Sequence, residues 1–174
     1  MSSGAERIAA LFRDFTTSAF RLELRQTYKI PEEQERLAGY LAGKPKPIVD
    51  APWRRAVKAK TGAGASMLRA KVVRRPLTDY TRFLMAWGIP DNIEAGEQYR
   101  IVDDTDRRLD LPDHDFWFFD DEYVVRLDFA SDGTFLGRDL VEDPDLGRYR
   151  AWRDEVSSHG VPFGEWTAGA GPAG

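Results

Sequence analysis

A run of four aromatic residues constrains the fold of this chain more than any other feature. Residues 116–119 read Phe-Trp-Phe-Phe, and they are followed by an acidic triplet at 120–122 and a second apolar run at 123–127. Side chains along a strand alternate between its two faces, so four consecutive aromatics cannot all face one side. The pattern therefore predicts a strand that is buried on both faces and that turns through the acidic triplet into a paired strand.

The rest of the chain shows helical and strand periodicities in alternation. Strands are predicted at 18–24, 67–73, 98–102 and 135–141. Helices are predicted at 5–15, from Pro31 to Leu41, in a short stretch after Pro52, at 77–87 with Gly88 or Pro90 ending it, and from Pro144, with Asp143 as its cap, to Val156.

Together these elements predict a single α/β domain over residues 1–166, with a mixed β-sheet flanked by helices. In the strand at 18–24, apolar side chains alternate with Arg21, Glu23 and Arg25, which is typical of a half-buried strand. The residues that follow Trp166 offer nothing to bury, so residues 167–174 are predicted to form a disordered tail.

Composition excludes several classes of protein. None of the 174 residues is cysteine, which excludes a disulfide framework, a cysteine nucleophile, a zinc ribbon and an iron–sulfur site. The first 30 residues are charged throughout, so no secretory signal is predicted, and no run approaches the roughly 20 apolar residues of a membrane span. We therefore expect a cytoplasmic protein that makes no membrane contact.

The formal net charge of −4 hides two blocks of opposite sign. Residues 54–82 contain nine basic residues against one acidic residue, and residues 103–145 contain fifteen acidic residues against four arginines. If the blocks pair with each other, they form ordinary salt bridges; if they lie on separate faces, the basic one attracts phosphates and the acidic one attracts cations or a basic partner.

The acidic block contains a cluster of carboxylates near the aromatic run: Asp110, Asp113, Asp115, Asp120 and Asp121. An Asp-x-Asp pair in a loop offers two oxygen ligands to magnesium or calcium, but the spacing of an EF-hand is absent and solvated turn acids are the alternative. His114 is interpreted as a loop histidine between two acids, since no metal-ligand spacing of histidines occurs. No bound metal and no cofactor are expected.

The basic block contains a strand whose cations alternate with apolar residues. Arg69 and Lys71 lie on one face of this strand, and Arg74, Arg75, Tyr80 and Arg82 follow it. Cations beside an aromatic side chain suit contact with phosphate or nucleic acid. A solvated sheet edge, where lysine and arginine discourage pairing between edges, is the alternative interpretation.

Several stretches resemble an actinobacterial family of unknown function, DUF6879. They are residues 20–23, 71–83, 92–97, 115–121 and 148–153, so the resemblance covers the chain from about Phe15 to His159. Members of this family are commonly encoded beside helix-turn-helix regulators or inside natural-product gene clusters. One departure is Leu84, which stands where the family tends to have an acid after the Arg-Phe pair.

The second half also resembles half of a phospholipase D-type domain. In that superfamily a strand ends in Asp, and a catalytic His-x-Lys precedes this Asp at fixed spacing. Asp120 matches the strand-ending Asp, whereas Asp113 and Asp115 stand where the His and the Lys should be. Aspartate supplies neither the imidazole nucleophile nor the charge that neutralises the phosphate, so the resemblance implies a half-domain that has lost this chemistry.

The first functional hypothesis is a non-catalytic accessory domain that binds a ligand or partner and works with a separately encoded transcriptional regulator. An anionic small molecule or a surface of the regulator would be held by side chains from the basic block and its neighbours: Arg69, Lys71, Arg74, Arg75, Tyr80, Arg82, Asn92 and Trp117.

Two alternatives remain. The first is a biosynthetic-cluster enzyme that uses Asp113, Asp115 and Glu97 for acid–base or metal-assisted chemistry. The second is binding of nucleic acid or phosphate through residues 69–82, although the net charge of −4 disfavours nonspecific nucleic-acid binding.

Overall fold

The computed structural model describes residues 2–169, which build a seven-stranded mixed sheet with helices on both faces. The strands are β1 (Ser18–Glu23), β2 (Ser66–Val73), β3 (Gln98–Asp103), β4 (Asp115–Phe119), β5 (Tyr123–Phe129), β6 (Phe135–Leu140) and β7 (Val161–Pro162). The helices are α1 (Gly4–Asp14), α2 (Gln34–Leu41), α3 (Pro52–Gly62), α4 (Asp79–Phe83), α5 (Ile89–Ala95), α6 (Leu146–His159) and α7 (Phe163–Gly169). The predicted fold class is therefore confirmed.

The strand order β6-β5-β4-β1-β2-β3-β7 combines two kinds of connection. The central strands β1, β2 and β3 are parallel, and each crossover between them contains helices: α2 and α3 in the first, α4 and α5 in the second. β4, β5 and β6 form an antiparallel meander, whose first turn is the acidic triplet at 120–122, as predicted. Parallel strands require long crossovers, whereas the meander needs only tight turns.

The two faces of the sheet differ in chemistry. One face is apolar and packs against α6, with Leu22, Val72 and Phe116 among its buried residues. The opposite face is covered by the helices of the crossovers and by α1, and its centre contains charged residues from β1 and β2. In the sheet register, Arg21 lies beside Arg69 and Glu23 beside Lys71.

Two predictions about strand exposure are wrong. β1 is buried on both faces rather than half-buried, because helices cover the face that displays Arg21 and Glu23. β2 lies between β1 and β3 rather than at a solvated edge, so Lys71 is completely buried. Sequence alternation places side chains on opposite faces, but it does not show which faces receive a second layer.

Two predicted helix boundaries are also wrong. The helix predicted to stop at Gly88 or Pro90 continues into α5 through a π-helical turn, Leu84–Gly88. Pro90 does not end the helix, because it lies in the first turn of α5, where an N–H is dispensable. The last helix is capped by Asp145, whose side chain accepts a hydrogen bond from the Arg148 amide, and not by Asp143.

At the C-terminus, α7 includes residues 167–169 of the predicted tail, and the remainder of that tail lies outside the described residues.

The two charge blocks meet at their ends and otherwise find other partners. Arg74 pairs with Asp104 and Arg75 with Asp103, and both pairs lie where the neighbouring strands β2 and β3 end. Elsewhere in the acidic block, Asp121 pairs with two arginines of α6. Within residues 2–169, therefore, the blocks do not cancel as units, because most of their ion pairs are made with residues outside the opposite block. No helix in this part of the chain is long and apolar enough to cross a membrane.

Candidate ligand-binding site

A cavity of about 500 Å³ lies between the charged face of the sheet and the helices that cover it. Its floor is formed by side chains of the four central strands: Arg21, Glu23, Arg69, Tyr99 and Trp117. Its walls include Trp53 at the start of α3, Tyr80 on α4, Asn92 on α5, and Glu33 and Arg36 around α2. This volume falls within the range of cavities that bind small molecules.

The first part of the floor is an ion pair between β1 and β4. The Arg21 guanidinium donates from Nη2 to Asp115 Oδ2 at 2.9 Å, and both side chains are at least nine-tenths buried. Asp115 also accepts from the Leu24 amide at 3.0 Å and from the Tyr28 hydroxyl at 2.5 Å. Burial, followed by the charge of Asp115, raises the pKa of Tyr28 well above its ordinary value, so this hydroxyl stays protonated as a donor.

The second part is centred on Arg69 of β2. Its Nε donates to Glu97 Oε1 at 2.7 Å and its Nη1 donates to Glu23 Oε1 at 2.9 Å. The guanidinium carbon lies 5.2 Å from the ring centroids of both Trp53 and Trp117, within cation–π range. Burial lowers the pKa of Arg69, but the adjacent carboxylates outweigh burial and raise it well above the ordinary value.

Glu23 and Lys71 complete the buried network. Burial raises the pKa of Glu23, yet the charges of Arg69, Lys71 and Arg21 outweigh this effect and leave it below the ordinary value. The Lys71 ammonium donates to the carbonyl of Arg25 and lies 4.8 Å from the Tyr28 ring centroid. Burial lowers the pKa of Lys71, with Glu23 and Asp115 acting in the opposite direction.

The wall near α5 carries a surplus of cations. The single carboxylate of Asp91 is shared by Arg36, Lys46 and Arg54, with Arg54 Nη1 at 3.2 Å and Arg36 Nη2 at 3.4 Å. Deeper in the cavity, the Asn92 amide donates to the Tyr99 hydroxyl at 2.9 Å.

On the opposite wall, the Tyr80 hydroxyl donates to Glu33 Oε2 at 2.7 Å. Burial raises the pKa of Glu33, although the hydrogen bond from Tyr80 opposes this shift.

Two buried N–H groups in the lining lack a protein acceptor. The Nε atoms of Arg21 and Arg36 are inaccessible to solvent and make no hydrogen bond within residues 2–169. An unmatched buried donor costs about 1–3 kcal/mol and more when it is charged. Because neither atom is accessible to solvent, both face packed protein rather than the open space of the cavity.

Four of the predicted ligand-binding residues line this cavity: Arg69, Tyr80, Asn92 and Trp117. Lys71 and Glu97 lie in the buried network below it. Glu97 was predicted as a carboxylate of an enzyme, and here it accepts from both Arg69 and the Trp53 indole N–H.

Three predicted cations lie elsewhere. Arg74 and Arg75 point to the sheet edge beside Asp104 and Asp103, and Arg82 lies on the exposed side of α4 beside Asp79. Lys71 is buried and Arg69 is partly buried and paired with Glu23 and Glu97, so residues 69–82 do not present a continuous basic surface.

The acidic cluster does not converge on one point. Asp113 is exposed and contacts His114, whereas Asp115 is buried beneath the cavity, where it pairs with the floor residue Arg21. The Asp120 carboxylate accepts backbone N–H groups of Thr16, Thr17 and Ser18, so it fastens the β4–β5 turn to the start of β1.

Neither histidine of the described chain lines the cavity. His114 bridges Asp113 and the Tyr149 hydroxyl on the α6 side, and His159 lies at the end of α6. Within residues 2–169 there is no group of three or more histidine, aspartate or glutamate side chains that could hold a metal ion.

Sequence reasoning missed Arg21, Glu23, Arg36 and Trp53 as site residues. The sequence contained a signal for two of these four residues, Arg21 and Glu23. Arg21 and Glu23 alternate with apolar residues in one strand just as Arg69 and Lys71 do in another, and two parallel strands with the same alternation bring their charged residues to one face. Trp53 and Arg36 come from crossover helices, and the sequence carries no signal for how these helices dock.

The fold is similar to that of a solved phospholipase D family member, Nuc from Salmonella typhimurium. The two chains share 14% identity with a TM-score of 0.50, and the match covers 91% of each chain. The predicted likeness to half of such a domain therefore extends over nearly the whole chain, at the level of fold. Nothing among curated proteins matches this chain.

Residues 6–168 match the family described as a domain of unknown function, DUF6879. This match spans almost the entire sequence, including every strand and the helices that form the cavity. The chain belongs to the DUF6879 family.

Proposed function

We propose that this domain binds a small molecule in the cavity above β1, β2 and β4 and holds it without chemical turnover. The observation that supports this proposal is the cavity itself, which has a volume of about 500 Å³ and lies between aromatic side chains and a floor of paired charges from Arg21, Glu23 and Arg69.

The cost of the buried network supports the same proposal. Five ionisable side chains from β1, β2, β4 and the α5–β3 junction are buried together, namely Arg21, Glu23, Lys71, Glu97 and Asp115, and the partly buried Arg69 pairs with two of them. Removing charges from water costs several kcal/mol per ion, and apolar residues of similar volume often stabilise a core as well or better. A network of this kind below a cavity is typical of a functional site.

Binding without turnover is supported by the positions where a phospholipase D-type enzyme carries His-x-Lys. In the sequence resemblance Asp113 and Asp115 stand at these positions, and neither side chain lines the cavity. Asp115 already accepts three hydrogen bonds, which leaves it poorly suited to attack a substrate.

A panel of three naphthalene compounds tests the proposal: 2-naphthoate, 2-naphthamide and 2-naphthylmethylammonium. We expect at least one to bind the wild-type protein in isothermal titration calorimetry. Val49→Trp, which fills the cavity from its lining loop, should abolish this binding. Tyr123→Trp, at an exposed position outside the cavity, is the matched control and should bind normally.

Two results would contradict the proposal. The first is that no compound of the panel binds; the second is that binding persists in Val49→Trp. Release of 4-nitrophenolate from bis(4-nitrophenyl) phosphate at a rate that Asp115→Asn abolishes would instead favour the enzyme alternative. Partnership with a transcriptional regulator stays a prediction, for which co-purification of the two proteins is the test.

A further inference from the structure

We infer that the loop between α2 and α3, residues 42–51, is a lid over the cavity, and that the ion pair between Lys46 and Asp91 is the latch that keeps this lid closed. The inference rests on the proposed function, because it gives the route by which a ligand enters and leaves the same cavity.

The lid forms one wall of the cavity. It connects α2 and α3, which form the neighbouring walls through Arg36 and Trp53. Within the lid, Val49 lines the cavity, whereas Ile48 beside it is fully exposed to solvent. The lid therefore has an inner side, which borders the cavity, and an outer side, which faces water.

Rings that line the cavity are shielded from solvent. Tyr80, Tyr99 and Trp117 contribute to the lining, yet each of these residues is buried. A ligand that contacts them must therefore pass a wall that moves. The floor is a hydrogen-bonded sheet, and the helices of the walls pack against it or against each other, so displacing these elements disrupts many contacts.

Few contacts hold the lid in place. Among the described residues, no backbone N–H or C=O group of residues 45–50 takes part in a hydrogen bond. From residue 42 to residue 50, Val49 is half-buried and all the others are exposed. Asp50 pairs with Arg55 near the start of α3, but both side chains of this pair are exposed. A segment with solvated backbone groups and few buried contacts opens at low free-energy cost.

The latch connects the lid to α5 on the opposite side of the cavity. The Lys46 ammonium pairs with the Asp91 carboxylate, which also lies 3.2 Å from Arg54 Nη1 and 3.4 Å from Arg36 Nη2. Neither arginine belongs to the lid, so Asp91 keeps two cationic partners when Lys46 leaves. Opening therefore leaves no buried charge without compensation and costs one partly exposed ion pair.

A single thiol placed in the lid measures its opening, because the chain contains no cysteine of its own. Val49→Cys places the thiol on the inner side of the lid, and Ile48→Cys places it on the outer side. N-ethylmaleimide is a neutral reagent, and the ratio of its reaction rate with Val49→Cys to that with Ile48→Cys reports the fraction of time for which the lid is open. We expect Val49→Cys to react several times more slowly than Ile48→Cys.

Breaking the latch should raise this ratio. Lys46→Gln, added to both thiol variants, should increase the ratio about two- to fivefold, because fivefold corresponds to about 1 kcal/mol, the upper range for a partly exposed ion pair. Because the ratio compares two thiols in the same background, any direct effect of the lost charge on thiol reactivity is largely removed. Lys44→Gln is the matched control: Lys44 lies in the lid, has no ion-pair partner among the described residues, and should leave the ratio unchanged.

Salt gives a second measurement on the same variants. Raising the sodium chloride concentration screens an ion pair at the surface, so it should increase the ratio in the protein that retains Lys46. The ratio in Lys46→Gln should not respond, since the latch is already absent.

Binding kinetics test the lid as the route of entry. The latch stabilises the closed lid with and without ligand, so Lys46→Gln should raise the rate constants for association and dissociation of a bound naphthalene compound by the same two- to fivefold. The dissociation constant should stay unchanged. Stopped-flow fluorescence follows both steps through Trp53 and Trp117, which line the cavity. Lys44→Gln should keep the wild-type rate constants.

The outcomes separate the two proposals. Equal labelling rates of Val49→Cys and Ile48→Cys, an unchanged ratio in Lys46→Gln, or unchanged rate constants of binding would overturn the lid and its latch and leave small-molecule binding intact. The labelling experiment uses the protein without ligand, so its result does not depend on the naphthalene panel. Absence of binding by every compound of the panel would instead overturn the proposed function, whatever the labelling rates show.

Discussion

Asp113 and Asp115 show how strongly a residue's role depends on whether it lies in a strand or in the loop that precedes it, since Asp115 begins β4 and Asp113 lies before it. The Asp113 side chain is 89% exposed and contacts only the neighbouring imidazole among the described residues. The Asp115 side chain is 1% exposed and holds together β1, β4 and Tyr28 through three hydrogen bonds. The two residues are chemically identical and two positions apart, yet one is a surface group and the other is part of the core.

At this scale we predict that Asp115→Asn destabilises the protein by about 3–5 kcal/mol, because it leaves the buried Arg21 charge without its partner. The matched variant Asp113→Asn should leave the unfolding midpoint unchanged, since its side chain lies in solvent. Urea denaturation at neutral pH measures both effects. Similar midpoints for the two variants would show that the buried ion pair is not a structural element of the fold.

Contact between the crossover helices determines the shape of the cavity at the scale of elements. α3 and α5 contribute Trp53 and Asn92 to opposite parts of the wall, and the two helices pack closely where Gly96 ends α5. Gly96 has a φ of +123°, and a Cβ at this position would lie 2.4 Å from Thr61 Oγ1 on α3. The glycine therefore allows the close approach of two elements that line the cavity.

We expect Gly96→Ala to destabilise the protein by about 1–3 kcal/mol, because alanine is strained at this φ and its methyl group meets α3. Gly62→Ala is the control: a Cβ at Gly62 has no neighbour within 4 Å, and alanine in a helix should be neutral or stabilising by up to about 1 kcal/mol. Thermal unfolding compares the two. Equal stability of Gly96→Ala and the wild type would contradict the packing argument.

At the scale of the whole molecule, buried and turn carboxylates make the fold sensitive to acid. Burial raises the pKa of Asp120, but the backbone amides that it accepts outweigh burial and leave the pKa below its ordinary value. Burial is likewise outweighed at three other carboxylates, whose pKa values lie below their ordinary values: arginine and lysine charges lower that of Glu23, hydrogen bonds from Thr105 and then Arg75 lower that of Asp103, and Arg150 and Arg153 lower that of Asp121. Each of these groups binds protons more readily in the unfolded chain than in the folded one. Their contribution to stability is therefore complete above the unfolded pKa and is lost as the pH falls through the folded pKa.

We predict that the melting temperature falls steadily as the pH is lowered from 6 to 3. Glu33, whose pKa is raised, binds a proton more readily in the folded chain than in the unfolded one, so it opposes this fall at the higher pH values of the range. Asp120→Asn should flatten the pH dependence and lower the melting temperature at pH 7. Glu94→Gln, at an exposed position of α5 without an ion-pair partner among the described residues, should keep the wild-type slope. Identical slopes for Asp120→Asn and the wild type would contradict the role assigned to the β4–β5 turn.

Much of the fold is readable from local patterns, and the exceptions share one cause. The aromatic run, the acidic turn and the strand at 67–73 are all confirmed, because alternation and turn chemistry are local properties. The exposure of β1 is decided by covering helices that are distant in sequence, and a local pattern does not show them. The site divides in the same way: Arg69, Tyr80, Asn92 and Trp117 were predicted, whereas Arg21 became visible only beside its tertiary partners.

The sequence by itself determined where β1 to β6 and most of the helices lie, and that the sheet is mixed, because these follow from periodicity over a few residues. Tertiary structure alone decided which charged residues are buried and with whom they pair. Burial depends on the layer that covers a strand, and an ion pair depends on distances across the sheet, so Arg21 with Asp115 and Arg69 with Glu97 are set by packing. The cavity exists for the same reason, as the space between a charged sheet face and helices that only partly fill it.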